Sequence, residues 1–190
     1  MTSLTPNIAL FGTSADPPTL GHQKIIYWLS KYYDLVSVWT SNNPSKQHQV
    51  SLKVRSKMLG LLIEELNHSV SNVIFSPTIS DRKTYNTIFK AQAIWVDAQF
   101  TFIVGSDVIK QISKWYQIDK ILRQVKILII PRIGYELTSY DLENLNALGA
   151  QYDIATLLIP EISSSQYRET KNSKLLTPSI QKYLEQNKFY

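Results

Sequence analysis

The chain contains no cysteine, which excludes a disulfide framework, a thiolate nucleophile and a thiolate-ligated metal site. It has no stretch approaching the roughly 18–20 consecutive apolar residues of a membrane-spanning helix. Residues 1–6, Met-Thr-Ser-Leu-Thr-Pro, lack the basic and apolar regions of a secretory signal. A cytoplasmic protein with no membrane partner is therefore expected. It also lacks any long run of Lys and Arg, the densest cluster being Asp81-Arg82-Lys83, so a nucleic-acid-binding tail is not indicated. No internal repeat, low-complexity tract or linker interrupts it. What is present is 190 residues, 44% of them hydrophobic, enough for one well-packed domain over 1–190. A net charge of +5 and a pI near 9.3 suit an anionic partner, and a nucleoside triphosphate with a mononucleotide accounts for that surplus as well as a nucleic acid does.

Short β-branched runs alternate with longer helical patterns. Strands are expected over residues 8–11, 35–39, 73–75, 101–104, 126–130 and 155–159. Helices are expected over about 20–32, from a Ser51 cap to Leu66, and over about 87–96, 138–148, 163–171 and 179–187. This alternation implies an α/β, Rossmann-like, doubly wound parallel sheet with helices on both faces. The run Lys126 to Ile130, apolar on both sides, fits a sheet covered on both faces. Ligands of such sheets sit beyond the carboxyl ends of the strands.

The segment over residues 12–22 reads G-T-S-A-D-P-P-T-L-G-H and follows the first expected strand. Small side chains at Gly12, Thr13, Ser14 and Ala15 let backbone N–H groups approach an anion, and the helix that follows aims its positive dipole end at the same place. Thr19 and His22, three apart, can both face the mouth of this loop. A second segment, Ile162-Ser163-Ser164-Ser165-Gln166-Tyr167-Arg168, opens another helix. Ser164 and Ser165 can hold phosphate oxygens, and Arg168, one turn on, offers a planar, permanently charged fork. A hydroxyl and an imidazole over a phosphate cradle suggest phosphoryl or nucleotidyl transfer.

Together the two segments resemble the (H/T)-x-G-H and I-S-S-T-x-x-R signatures of the nucleotidylyltransferase superfamily. Further segments narrow the resemblance to nicotinate/nicotinamide mononucleotide adenylyltransferases. They are Asn42-Asn43-Pro44-Ser45-Lys46, Arg55 with Met58 and Leu59, Thr84-Tyr85-Asn86-Thr87, Gly105-Ser106-Asp107 with Trp115 and Tyr116, and the tail from Leu175 to Tyr190. The resemblance covers residues 8–190 in order. It implies adenylyl transfer from ATP to a pyridine mononucleotide in NAD synthesis, with Mg²⁺ bridging the ATP phosphates through few protein ligands, none of them assigned to a residue.

In the site it implies, His22, Thr19, Lys46 and Arg168 are catalytic. ATP is held by Gly12, Thr13, His22, Gly105, Asp107, Ile162, Ser164, Ser165 and Arg168. The mononucleotide meets Ser14, Lys46, Thr84, Trp115, Tyr116 and Arg132, with Trp115 offering a stacking face. Thr19 stands where most bacterial relatives carry His, Asn86 replaces an Asp, Ser165 a Thr, and Ser45 a His. A sibling acting on another phosphate acceptor such as phosphopantetheine is the nearest alternative, and a non-catalytic nucleotide- or nucleic-acid-binding module the next. The sequence decides neither nicotinate against nicotinamide nor whether the chain forms a homo-oligomer.

Overall fold

A computed structural model describes residues 5–43, 47–157 and 162–190. Six strands, β1 (Asn7–Thr13), β2 (Leu35–Thr40), β3 (Val73–Phe75), β4 (Gln99–Gly105), β5 (Lys126–Ile130) and β6 (Tyr152–Ile154), pair in the order β3-β2-β1-β4-β5-β6. Every pairing is parallel. The expected doubly wound α/β sheet is therefore what the chain forms. Strand order reverses between β1 and β4, and connections leaving a parallel sheet in opposite directions there open a crevice at the carboxyl edge.

Alternation along each strand sends neighbouring side chains to opposite faces. On one face Ala9, Phe11, Val36, Val38, Ile103, Leu128 and Ile130 pack in a single core. Covering them are α1 (Leu20–Leu29) through Ile25, Ile26 and Leu29, α2 (Leu52–Leu66) through Met58, Leu59 and Leu62, and α8 (Pro178–Asn187) through Ile180 and Leu184. On the other face Ile8, Leu10, Phe102, Val104, Ile127 and Ile129 form a second core. It is covered by α3 (Thr84–Ile94), the short α4 (Ser106–Ile109) and α5 (Ile118–Leu122), and α6 (Ser139–Ala147). Between α6 and α8 lies α7 (Ser164–Thr170). Burial on both sides is why β5 reads as a continuous apolar run.

Caps follow the side chains able to make them. Ser51 accepts from the Val54 N–H at the start of α2, and Ser163 from the Gln166 N–H at α7. Thr138 and Asp141 form a reciprocal capping box at α6. Backbone and side-chain hydrogen bonds from Thr138 hold the Asp141 carboxyl below its usual range.

Several boundaries differ from the expectation. The last strand is residues 152–154, not 155–159: Tyr152, Asp153 and Ile154 pair with Ile127, Leu128 and Ile129. As an edge strand it carries an exposed Asp153 and Ile154, so it gives no apolar run; of the expected strand, Ala155 still donates to the Ile129 carbonyl at 2.9 Å, and residues 156–157 carry no strand pairing. Residues 158–161 lie outside the described residues. Strand β1 continues through Gly12 and Thr13, which pair with Trp39 and Thr40, so these two belong to the sheet rather than to the loop. Helix α3 starts at Thr84, not Thr87, and α4 and α5 are too short to show a periodic signal. Among the described residues, no helix is long and apolar enough to cross a membrane.

Candidate functional site

The loop leaving β1 and the N-terminus of α7 converge at the crevice. Between them lies a cleft of about 490 Å³. Of the residues singled out from sequence, Thr13, Ser14, His22, Arg132, Ile162, Ser164, Ser165 and Arg168 line it.

His22 sits on the first turn of α1 and is 8% exposed. The Thr19 backbone N–H donates to its Nδ1 at 3.1 Å, and the Thr19 hydroxyl lies 2.9 Å from the same nitrogen. A backbone N–H can only donate, so Nδ1 is the acceptor, and in the neutral ring the proton resides on Nε2. Histidine here takes the part that Glu or Gln plays in an ordinary capping box. Thr19 itself is fully buried and is not part of the cleft lining. The sequence placed its hydroxyl at the loop mouth; the structure instead sets it against the imidazole.

The two motifs touch. Gly21 permits this, since a Cβ there would come within 2.6 Å of the Ile162 carbonyl oxygen. The Ser164 hydroxyl donates to the Pro17 carbonyl at 2.8 Å. Arg168 donates through one nitrogen to the Asp16 carbonyl at 2.7 Å, across 152 positions of sequence, and through the other to Ser165 Oγ at 3.0 Å. The serines and the arginine are thus aimed partly by the loop they face.

Gly12 has a different reason from the one its sequence position suggested. A Cβ there would lie 2.6 Å from the Trp39 indole, so the glycine makes room for that ring. Trp39 packs against Phe102 at 6.0 Å between centroids, and Phe102 meets Trp115 edge-on at 5.9 Å.

Trp115 therefore belongs to a second locus, outside the cleft lining. Tyr116, half exposed, packs edge-on against Tyr85 at 6.2 Å, and the Lys83 ammonium lies 4.0 Å from the Tyr116 ring centre. Thr84, between Lys83 and Tyr85, begins α3 beside them. Thr84, Trp115 and Tyr116 are thus brought together, beyond β3 and β4. Nearby, Asn86 donates to Asp81. The Lys83 N–H, above all, and Lys90 help to hold the Asp81 carboxyl below its usual range.

Gly105 and Asp107 end β4 and open α4. They adjoin the cleft through Arg132, which pairs with the Asp107 carboxylate at 3.1 Å. The other Asp107 oxygen is buried and has no hydrogen-bond partner among the described residues, an acceptor left open. Lys46 lies outside the described residues.

Three further residues serve this site without having been singled out for a role. Asp16, 2% exposed, lies within the first motif. Its Oδ2 accepts from the Gln49 N–H at 2.8 Å and stands 3.6 Å from His48 Nδ1; His48 also lines the cleft. Arg55 was visible only as the start of the R-x-x-M-L helix. It is 1% exposed and donates to the carbonyls of Ser14 and Ser41, joining the loops after β1 and β2. Burial pulls its pKa below the usual arginine value, and Asp16 opposes that. Cationic side chains from three segments, Arg55, Arg132 and Arg168, thus surround the loop. Among the described residues lining the cleft, Asp16 is the one acidic side chain, against Arg132 and Arg168.

A parallel sheet with a cationic cleft at its switch point, furnished with an imidazole donor and an arginine fork, defines an α/β protein built to handle phosphate esters. Comparison with known proteins makes this particular. The family model described as cytidylyltransferase-like matches residues 10–170. A protein of Synechocystis sp. named "Probable nicotinate-nucleotide adenylyltransferase" is 38% identical, over 96% of this chain and 98% of its own length. A protein of the same name from Bacillus cereus is 33% identical, over 96% and 97%. The solved nicotinic acid mononucleotide adenylyltransferase of Plasmodium falciparum, complexed with NaAD, superposes with a TM-score of 0.78 at 21% identity, covering 97% of this chain and 98% of that one. The chain belongs to the cytidylyltransferase-like family and, within it, to the nicotinate-nucleotide adenylyltransferases.

Proposed function

We propose that the chain transfers the adenylyl group of ATP to nicotinate mononucleotide, forming the dinucleotide and releasing pyrophosphate, as a cytoplasmic step of NAD synthesis. The observation that carries this reading is the meeting of His22 and Arg168 on one cleft. The names of the 38% and 33% identical relatives favour nicotinate over nicotinamide as the acceptor's base.

In this reaction an oxygen of the mononucleotide phosphate bonds to the α-phosphorus of ATP while the bond to the β-phosphate oxygen breaks. The nucleophile is already an anion, so no general base or covalent intermediate is needed. Catalysis is positioning and neutralisation of charge. His22, its Nδ1 engaged by Thr19, offers Nε2–H to the α-phosphate or the bridging oxygen. Arg168 neutralises charge on the leaving group, with Ser164, Ser165 and the backbone of Ile162 and Thr13 around the triphosphate. Asp107, with one oxygen unpartnered, accepts from ribose hydroxyls beside Gly105. Arg132 and Ser14, with Lys46, meet the mononucleotide phosphate, and the Thr84, Trp115 and Tyr116 locus receives the pyridine ring. Gly12 contributes through its fit to Trp39.

Among the described residues, no group of three or more His, Asp or Glu side chains could cage a metal ion. Asp16, the cleft's carboxylate, already has partners on both oxygens. An Mg²⁺ ion bound with ATP would therefore draw few ligands from these side chains. When bound, the ion supplies neutralisation of the triphosphate.

The test is pyrophosphate release from ATP and Mg²⁺ with nicotinate mononucleotide, nicotinamide mononucleotide or phosphopantetheine as acceptor. The expected order of kcat/KM places nicotinate mononucleotide first. Turnover of phosphopantetheine with both pyridine mononucleotides silent would overturn the assignment.

A further inference from the structure

Tyr190 lies far from the cleft in sequence and is absent from its lining, yet its side chain meets both halves of the site. Its hydroxyl donates to Asp16 Oδ1 at 2.5 Å, across 174 positions. Its ring stands edge-on to Tyr167, with centroids 6.0 Å apart and planes at 87°. Tyr167 is the buried anchor of α7, the helix that presents Ser164, Ser165 and Arg168.

Asp16, in turn, is a junction. Its carboxylate takes the Tyr190 hydroxyl on one oxygen and the Gln49 N–H on the other, next to His48. Its carbonyl takes Arg168. Four segments therefore end on one buried residue: the loop after β1, residues 48–49 after β2, α7 and the tail after α8. Tyr190 also holds a φ of +77°, a region that bulky residues rarely occupy and keep only when surrounding contacts demand it. Because a carboxylate can only accept, the phenol must be the donor. Burial, with Asp16 adding to it, pushes the ionisation of Tyr190 well above the usual tyrosine range, so the donated proton is kept.

We infer that Tyr190 is a positioning residue for adenylyl transfer. Its hydroxyl on Asp16 and its ring on Tyr167 fix the separation between the loop that seats His22 and the helix that seats Arg168. The inference rests on the functional reading above. A displacement of roughly 1 Å in such a site costs up to two decades of rate, so a lost strut should lower kcat more than it weakens binding.

The experiment uses Tyr190→Phe, which keeps the ring and removes the hydroxyl, and the same change in an Arg168→Ala background. Expected are a fall in kcat of about tenfold with both KM values within about twofold, a melting temperature lowered modestly because one oxygen of buried Asp16 loses its donor, and little further loss in kcat when Arg168 is already gone. Tyr190→Ala should fall further, because the contact with Tyr167 goes too. Hydrogen exchange provides a readout independent of turnover: Tyr190→Phe should accelerate exchange in residues 14–22 and 163–168 and leave the sheet unchanged. If wild-type protein made no dinucleotide, the functional reading would fail while exchange still decided the strut. Wild-type kcat together with unaltered exchange in Tyr190→Phe would overturn the inference, as would a loss that is fully additive with Arg168→Ala.

Discussion

The cleft between the β1 loop and α7 differs in kind from the aromatic locus at Thr84, Trp115 and Tyr116. In the cleft, working groups are held by short, directional hydrogen bonds before any ligand arrives: His22 by Thr19, Arg168 by Asp16 and Ser165, Ser164 by Pro17. At the aromatic locus the contacts are ring edges and an ammonium over a face, and Tyr116 is half exposed. Charge that develops during reaction is stabilised best by donors that need not reorganise, whereas a flat base needs a surface to lie on. On the proposed function, the difference separates a part that would set turnover from a part that would set affinity. Trp39 and Phe102 bridge them, running from Gly12 at the end of β1 to Trp115.

Substitutions in the two regions should separate their effects. The largest effect is expected for His22→Ala, about two to four decades in kcat with a normal melting temperature, on the scale of losing a transition-state donor. Steady-state kinetics at saturating substrates check it, and full retained activity would remove His22 from the mechanism. Arg168→Ala should cost about one to two decades in kcat/KM for ATP, and Arg168→Lys should recover only part, because a point charge cannot reproduce the fork seen between Asp16 and Ser165. Trp115→Ala should act oppositely, raising KM for the mononucleotide about tenfold with kcat nearly unchanged, in line with roughly 1–3 kcal/mol for a base stacked on an aromatic ring. A collapse of kcat instead would erase the distinction between the regions.

Gly12→Ala forces a methyl into the Trp39 indole and should destabilise the fold by about 1–3 kcal/mol, measured by denaturant unfolding. Smallest is a pH effect. Burial raises the ionisation of Tyr33, Tyr167 and Tyr190 above the usual value near 10. Folding then retains protons that the unfolded chain releases, so this contribution is complete below about pH 10 and declines as pH rises beyond it. Tyr190→Phe should flatten that alkaline loss, and an identical slope in the variant would refute the assignment.

Legibility in the sequence followed the range of the interaction. Strands buried on both faces announced themselves by composition, and helices such as α2 by the spacing of Met58, Leu59, Leu62 and Leu66. The two segments that meet at the cleft stood out because small and hydroxyl-bearing residues cluster at a helix start in each, although the room that Gly12 makes for Trp39 and Gly21 for the Ile162 carbonyl is set by tertiary contact. Edge strand β6 escaped because half-exposed Asp153 and Ile154 look like loop, and the apolar stretch after it drew the strand forward. Thr19 was read as facing the cleft because helical spacing fixes a side of the helix and not the partner met there. Asp16, Arg55 and Tyr190 gained their parts through contacts with segments that sequence order leaves far apart, as in the hydrogen bond linking positions 16 and 190. No local pattern encodes such a pairing.

Adenylyl transfer in this cleft requires one ATP to be gripped from both sides. A crystal structure with a non-hydrolysable ATP analogue and nicotinate mononucleotide tests this directly. The expected result places the α-phosphate within about 3 Å of His22 Nε2, the outer phosphates against Arg168, and the pyridine ring on Trp115. A triphosphate seated where His22 and Arg168 cannot both reach it would contradict the account.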